Sequence, residues 1–489
     1  MLSIELRGRQ MEVIGRETEK AALTQCLEAK RPEFVAIYGR RRIGKTFLVR
    51  EFLRDSMVFS LTGAVNVSMR DQLRIFDEAI EDWGGKKQVP ATDWLDAFRL
   101  LKEYIKRLRH KRKKVIFIDE VPWLATQKSG FISALDHFWN SFASAREDIT
   151  LIICGSASSW ITDNVIANRG GLHNRVTRQI RIEPFTLAEC EQYYHSRGID
   201  LNRIQITQLY MIIGGIPYYM DYAQKGLSPE QIVDSLFFVK GAPLANEFSN
   251  LYASLFKSPE RHLSIIEALG KKASGLTQKE LFVVLGIKPS GTYSKALMEL
   301  EQCGFIRKAR QFSTGRRNGS IYQLTDFYTL FYLKHIKSTS LPNARYWQSK
   351  GRKGAWNAWN GLAFERVCVA HVEEIKVRLG ISGVATEVSA WRSTESASGA
   401  QIDLVINRDD GIVDLCEAKF TEKPFTVDAA YDQKLFDKRE IFREETRTKK
   451  ALHTVMVSAS GLTEQSRRGT IQALVTLNDL FASPSSLLP

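Results

Sequence analysis

No stretch of this chain approaches the roughly 18 uninterrupted apolar residues of a membrane-spanning helix, and the start, MLSIELRGRQMEVIGR, lacks the apolar core of a secretory signal. The six cysteines (Cys26, Cys154, Cys190, Cys303, Cys368 and Cys416) are widely separated, with no CxxC spacing and no paired histidines. That argues against a disulfide framework and against a zinc site, and reads as packed, reduced thiols. The expectation is therefore a cytoplasmic chain without a membrane partner. At 489 residues it exceeds what one core can hold, so about three domains are expected. A net charge of +14 and a pI near 9.4 favour an anionic partner, with bound nucleotide and nucleic acid both able to use that charge.

What is present begins with FVAIYGRRRIGKTFLVR, from Phe34 to Arg50. An apolar run leads into Gly39-x-x-x-x-Gly44-Lys45-Thr46 and then a helical segment, the order a phosphate-binding loop requires. The glycines let the loop close around phosphate, with residues 39–47 (Gly39, Arg40, Arg41, Arg42, Ile43, Gly44, Lys45, Thr46 and Phe47) as its nucleotide-contacting set. Lys45 would reach the β- and γ-phosphates, and Thr46 would give a hydroxyl to Mg²⁺. Downstream, Val115–Ile118 is a buried-strand run that ends in Asp119 and Glu120. Asp119 would hold the Mg²⁺ shell, and Glu120 would polarise the attacking water. A glycine turn and an acidic strand end are each common alone. Together they point to binding of a nucleoside triphosphate.

From Met11 to about Leu236, strand-like runs (Phe34–Tyr38, Met57–Leu61, Val115–Ile118, Leu151–Cys154 and Thr177–Ile182) alternate with amphipathic helices, the grammar of an α/β fold with a parallel sheet. The basic stretch Glu103–Lys114 reads as a solvated helix end in preference to a nucleic-acid patch. Near Pro259 the pattern changes to three helices and a strand pair, the order of a winged helix–turn–helix. Pro289–Cys303 is the recognition-helix candidate, and Arg307, Arg310, Arg316 and Arg317 lie on or near the wing, within reach of DNA phosphates. The alternative is a lid or spacer packed on the nucleotide domain. A polar linker with Pro342, Gly351 and Gly354 follows, giving expected divisions of 11–257, 258–336, 337–355 and 356–489.

In the last division, Gln401–Ile406 and Ile412–Phe420 flank the turn NRDDG and read as a hairpin. Period-two alternation places Glu417 and Lys419 on one face, and the hairpin can bring Asp403 beside them. Such a cluster suits metal-dependent hydrolysis of a phosphodiester. Asp403, Glu417 and the Ala418 carbonyl would hold Mg²⁺ or Mn²⁺, Lys419 would activate water, and Glu365 on the helix Trp359–His371 could add a ligand. Glu387 is a further candidate. The alternative is a solvated Glu-x-Lys pair on a sheet face.

On these residues the chain resembles, over nearly its whole length, the archaeal-type P-loop ATPases of the AAA+/STAND group that carry a C-terminal domain of the DUF234 kind. The resemblance runs through Ile14-Gly15-Arg16-Glu17, GRRRIGKT, FIDE, Cys154-Gly155-Ser156 and Gly214-Gly215-Ile216-Pro217. It implies that Arg16 lies near the adenine, that Ser156 reads the γ-phosphate, that Pro217 lies near the nucleotide, and that Arg175, with Arg169 as second choice, faces the phosphates. The C-terminal part is similar to the PD-(D/E)xK nuclease superfamily, with Asp403 and Glu417-Ala418-Lys419 on its motif and no proline before Asp403. The expected architecture is a P-loop core with a helical subdomain, a winged helix and a restriction-endonuclease-like α/β domain. The resemblance implies an ATPase that processes DNA or acts in defence. The alternative is a nucleotide-switched regulator or scaffold whose nuclease-like domain binds without cutting. Protein partners or self-association are compatible with either.

Overall fold

The structure is a computed structural model that describes residues 11–86, 89–109, 113–126, 128–156, 158–166, 172, 175–256, 258–312, 319–337, 339, 345–350, 354–393 and 400–482. The described residues fall into two compact units divided between Glu183 and Pro184.

The first unit is built on five parallel strands: β1 (Glu33–Tyr38), β2 (Met57–Thr62), β3 (Lys114–Asp119), β4 (Ile149–Gly155) and β5 (Arg178–Arg181), in the order β2-β3-β4-β1-β5. Each expected strand is present. The central ones read as continuous apolar runs because helices cover both faces of a parallel sheet, so Phe34–Ile37, Val115–Ile118 and Leu151–Cys154 are all buried. The helices Met69–Asp82, Trp94–Arg107 and Phe131–Ser141 turn apolar faces to the sheet. Ser68 and Asp93 cap the first two by accepting from the third N–H of each helix. Trp94 packs edge-on against Phe76 and Phe131 within that core. The basic stretch after the second helix is partly structural: Lys113 donates to the carbonyls of Ala29 and Arg31, and Lys114 pairs with Asp148 at 2.5 Å. Both lysines are buried, so neither offers charge to a nucleic acid.

The second unit opens with helices Leu187–Ser196, Arg203–Ile213, Pro217–Met220, Pro229–Phe237 and Glu247–Leu255. After them come Pro259–Gly270, Gln278–Leu285 and Gly291–Gln302, the three helices expected before a strand pair. That pair is β7 (Ile306–Gln311) and β8 (Ser320–Leu324), preceded by the short β6 (Leu276–Thr277). It does not stand alone. β7 also pairs in parallel with β9 (Thr386–Arg392), so the hairpin joins β10 (Gln401–Arg408), β11 (Ile412–Lys419), β12 (Ala451–Ser458) and β13 (Ile471–Thr476) in one sheet ordered β13-β12-β11-β10-β9-β7-β8-β6. The strands β9, β10 and β11 run antiparallel, then the helix Ala429–Thr446 crosses to β12, parallel to β11. The segment read as a linker contains the helix Tyr346–Lys350, whose Trp347 is buried against Phe238 and Phe331, while its backbone N–H donates to Asp234 at 2.7 Å. The divisions expected at 258–336 and 356–489 thus share a sheet.

His371 pins the first helix of this unit. Its Nε2 accepts the Leu187 N–H at 3.0 Å, and its Nδ1 lies 3.0 Å from the Val367 carbonyl, to which it donates. Burial lowers its pKa from 6.5 to about 4. Because the folded value lies below the unfolded one, this contribution to stability is complete above 6.5 and is lost as pH falls toward 4. Chemical denaturation should show about 2 kcal/mol less stability at pH near 5 than at pH near 8 from this group. His371→Gln, which can still accept from Leu187 without titrating, should remove that part of the slope.

Candidate functional site

Strand order decides where the polar groups of the first unit meet. The P-loop follows β1, Asp119 and Glu120 follow β3, and β4 lies between these two strands with Ser156 at its end. All the strands are parallel, so these groups share the carboxyl edge of the sheet, where open α/β sheets bind ligands.

The loop takes its shape from positive backbone angles. Gly39 has φ +149°, and a Cβ there would stand 2.3 Å from the Ile182 carbonyl oxygen and 2.6 Å from Ile43 Cδ1. Gly44, at φ +87°, has nothing within 4 Å of that position, which leaves the loop open ahead of the helix Lys45–Phe52. The buried Lys45 Nζ donates to the carbonyls of Gly39 (3.0 Å) and Arg40 (2.8 Å), and reaches Ser156 Oγ at 3.4 Å. That hydroxyl in turn donates to Glu120 Oε1 at 2.6 Å. Thr46 Oγ1 donates to Asp119 Oδ2 at 2.7 Å, and the other Asp119 oxygen accepts the Glu120 N–H at 2.9 Å. Glu120 itself is left-handed at φ +51°, a strained setting for a residue with a Cβ. The threonine hydroxyl and the Asp119 carboxylate, already in contact, are hard oxygen donors that suit Mg²⁺, and a lysine held over an open loop suits a polyphosphate.

The other expected residues are placed as follows. Arg16 is buried and left-handed (φ +62°), and donates to the carbonyls of Ile43 (3.1 Å) and Glu183 (2.6 Å), so it braces the loop's backbone. Arg40 is buried, Arg42 is partly buried at φ +73°, and Arg41 and Phe47 are exposed. Arg175 sits exposed in a turn closed on the Leu172 carbonyl. Arg169 lies outside the described residues. Pro217 belongs to the second unit, where it opens the helix Pro217–Met220, and Gly215 before it packs so closely that a Cβ would stand 2.0 Å from the Phe185 carbonyl oxygen.

In the second unit, Glu365, Asp403, Glu417 and Lys419 line one cavity of about 400 Å³. The expected hairpin forms, with Leu404 opposite Cys416. Burial, then the charge and hydrogen bond of Asp403, push the Glu365 carboxyl up to about 8, so it is protonated at neutral pH. Asp403 Oδ1 receives Gln323 Nε2 at 3.4 Å and lies 3.6 Å from Arg366 Nη1. Burial works against the charged form of Glu417, but Lys438, Tyr431 and Lys419 outweigh it and hold the pKa below the usual value. Lys438 Nζ stands 2.6 Å from Glu417 Oε2, Tyr431 Oη donates to Oε1 at 2.7 Å, and Lys419 is farther away at 3.8 Å. Removing one partner of such a buried pair costs about 3–5 kcal/mol.

Three carboxyl groups in one cavity have the chemistry of a hard-cation site. As they stand they do not form a ligand set: among the described residues no group of three His, Cys, Asp or Glu side chains is placed to hold a metal ion. Glu365 and Asp403 are paired with each other, while both Glu417 oxygens are engaged by the helix Ala429–Thr446. Sequence reasoning missed Tyr431, Lys434 and Lys438 on that helix, although their i, i+3, i+7 spacing marks one face. It also misjudged Arg307. Expected on the wing surface, Arg307 is partly buried, donating to Gln323 Oε1 at 2.7 Å and to the Asp403 carbonyl at 3.2 Å. Arg310 is exposed but pairs at 2.7 Å with Glu387, which takes that carboxylate away from the cavity cluster. Arg316 and Arg317 lie outside the described residues.

Residues 14–223 match the family model described as an ATPase domain predominantly from Archaea. That segment is therefore similar to archaeal-type P-loop ATPase domains. An uncharacterized protein of Methanocaldococcus jannaschii is 24% identical over 409 residues, covering 81% of this chain and 84% of its own length. Among solved structures, the Walker-type ATPase PABY2304 of Pyrococcus abyssi matches at 16% identity, with 67% of this chain and 97% of that one covered and a TM-score of 0.46. The ORC2 protein of Aeropyrum pernix, solved in ADPNP-ADP complexes, matches at 15% identity, with coverage of 66% and 93% and a TM-score of 0.42. No helix among the described residues is long and apolar enough to cross a membrane.

In the first unit, Gly39→Ala should be destabilising by about 1–3 kcal/mol, because the Cβ meets backbone on β5's exit that cannot swing aside. Denaturant titration of the parent and the variant checks this.

Proposed function

We propose that the chain couples ATP hydrolysis at the carboxyl edge of the first sheet to DNA handling by the second unit. The observation that carries the ATPase half is the line of contacts Lys45–Ser156–Glu120 beside the Thr46–Asp119 pair. On this reading the loop amides of residues 39–44 and Lys45 bind the phosphates, and Lys45 leaves its carbonyl partners for the β- and γ-oxygens. Thr46 and Asp119 would hold Mg²⁺, which supplies charge neutralisation on those oxygens when bound. Ser156 ties Lys45 to Glu120, so arrival of a γ-phosphate at the lysine can be felt by the carboxylate that orients water. Arg175 supplies a further positive charge to the phosphates, while Arg16 supports the loop and the adenine end.

For the second unit the reading is a PD-(D/E)xK-like site that acts on a DNA phosphodiester, with Asp403, Glu417 and Glu365 as its acidic groups and Lys419 as the residue that activates water. The helices before β7 and the hairpin would contact DNA in the manner of a winged helix. A nucleotide-switched regulator that binds DNA without cutting is the second reading, and one observation favours it: Glu417 is taken up by Lys438 and Tyr431.

One set of assays tests both halves. Glu120→Gln should keep ATP binding and lower phosphate release by about 10²–10⁴-fold, whereas Lys45→Ala should lose binding. In the same buffers, with Mg²⁺ or Mn²⁺, plasmid cleavage that disappears in Asp403→Ala supports the nuclease reading. Intact plasmid alongside normal ATP turnover supports the regulator.

A further inference from the structure

The contacts of Glu417 bear on how the cavity of the second unit would take up a cation. Lys438 and Tyr431, from the helix Ala429–Thr446, take both oxygens of Glu417, at 2.6 and 2.7 Å. Lys419, the lysine of the same strand, is the more distant partner. It stands 3.8 Å from Glu417 Oε1, and its ammonium lies 5.0 Å from the Tyr431 ring and 5.9 Å from the Phe425 ring. The ion pair is largely out of water: the Lys438 and Glu417 side chains are 19% and 17% exposed. On the other side of the cavity stand the carboxyl groups of Glu365 and Asp403.

We propose that Lys438 and Tyr431 form a latch on Glu417, and that a divalent cation completes a Glu365–Asp403–Glu417 ligand set only by displacing the Lys438 ammonium from Glu417. The inference rests on the reading of this cavity as a metal-dependent site. The ammonium neutralises Glu417 in the cation's absence, which keeps a buried carboxylate from standing unpaired. The same contact lowers the affinity for metal, because the incoming cation must break a short charge-assisted hydrogen bond before it gains a third ligand. Lys434 lines the cavity from the same helix, one turn away, with its ammonium 5.9 Å from the Tyr431 ring. It is therefore the control for simple loss of positive charge.

Mn²⁺ binding to the full chain without nucleotide, read from the EPR signal of free Mn²⁺, separates the possibilities. Lys438→Met should bind Mn²⁺ at least about tenfold tighter than the parent, the scale on which partners of ligand carboxylates tune metal affinity. Tyr431→Phe should tighten binding by less, and Lys434→Met should leave it near the parent. Adding Asp403→Asn to Lys438→Met should abolish the gain. An affinity in Lys438→Met no tighter than in Lys434→Met overturns the latch, as does a gain that survives Asp403→Asn. If Lys438→Met does not fold, Tyr431→Phe decides by the same sign: no tightening overturns the latch. Parent binding that depends on Asp403 but is unmoved by either substitution refutes the latch alone. Absence of Mn²⁺ binding in the parent and every variant refutes the metal reading of the cavity, and the latch with it.

Discussion

The hydroxyl of Ser156 is the contact on which the first unit's chemistry turns. It accepts from Lys45 and donates to Glu120, so one hydroxyl joins the lysine proposed to meet phosphate to the carboxylate proposed to orient water. That contact exists because β4 is inserted between β1 and β3. Were the P-loop strand beside β3, no residue of β4 could stand between the lysine and the glutamate. The left-handed backbone at Glu120 follows from the same demand: the chain must turn sharply off β3 to bring the carboxylate back over the sheet edge while Asp119 stays beside Thr46.

The second unit is organised around a different constraint, the burial of charge in one continuous sheet. Joining β7 to β9 brings Arg307 and Gln323 from the hairpin onto Asp403, with Arg366 from the helix Gly354–Ala370 on the same carboxylate. Burial and then the neighbouring Arg366 lower the Arg307 pKa, and Asp403 offsets part of this. The hairpin that would act as a wing is thus also part of the wall that holds the proposed acidic site. Any movement of the three helices and hairpin as one body would be felt at Asp403 through Arg307 and Gln323.

The sequence was most legible where chemistry is local. Gly39, Gly44, Lys45 and Thr46 sit within one loop, and the short apolar runs at Phe34 and Val115 have the length and composition of buried parallel strands, so the P-loop and the strands beside it follow from pattern. The partnership of Ser156 with Glu120 was not legible, since strand order is set by packing across the whole unit. The hairpin around Asp403 and Glu417 was read correctly from alternation, yet the same alternation could not show that β7 has a second neighbour. Arg307 was therefore expected at the surface. Trp347 shows the limit from another side: its proline-, glycine- and serine-rich surroundings look like a free linker, but one aromatic with a place to dock against Phe238 and Phe331 ties the segment down.

The central claim is that Thr46 and Asp119 act as one preassembled site for the nucleotide's Mg²⁺. A double-mutant cycle on Thr46→Ala and Asp119→Asn, with ATP affinity measured with and without Mg²⁺, tests it most directly. The account predicts that each single change removes most of the Mg²⁺ dependence and that the double change adds little further loss. Full Mg²⁺ dependence in both single variants, or strictly additive losses, would contradict it.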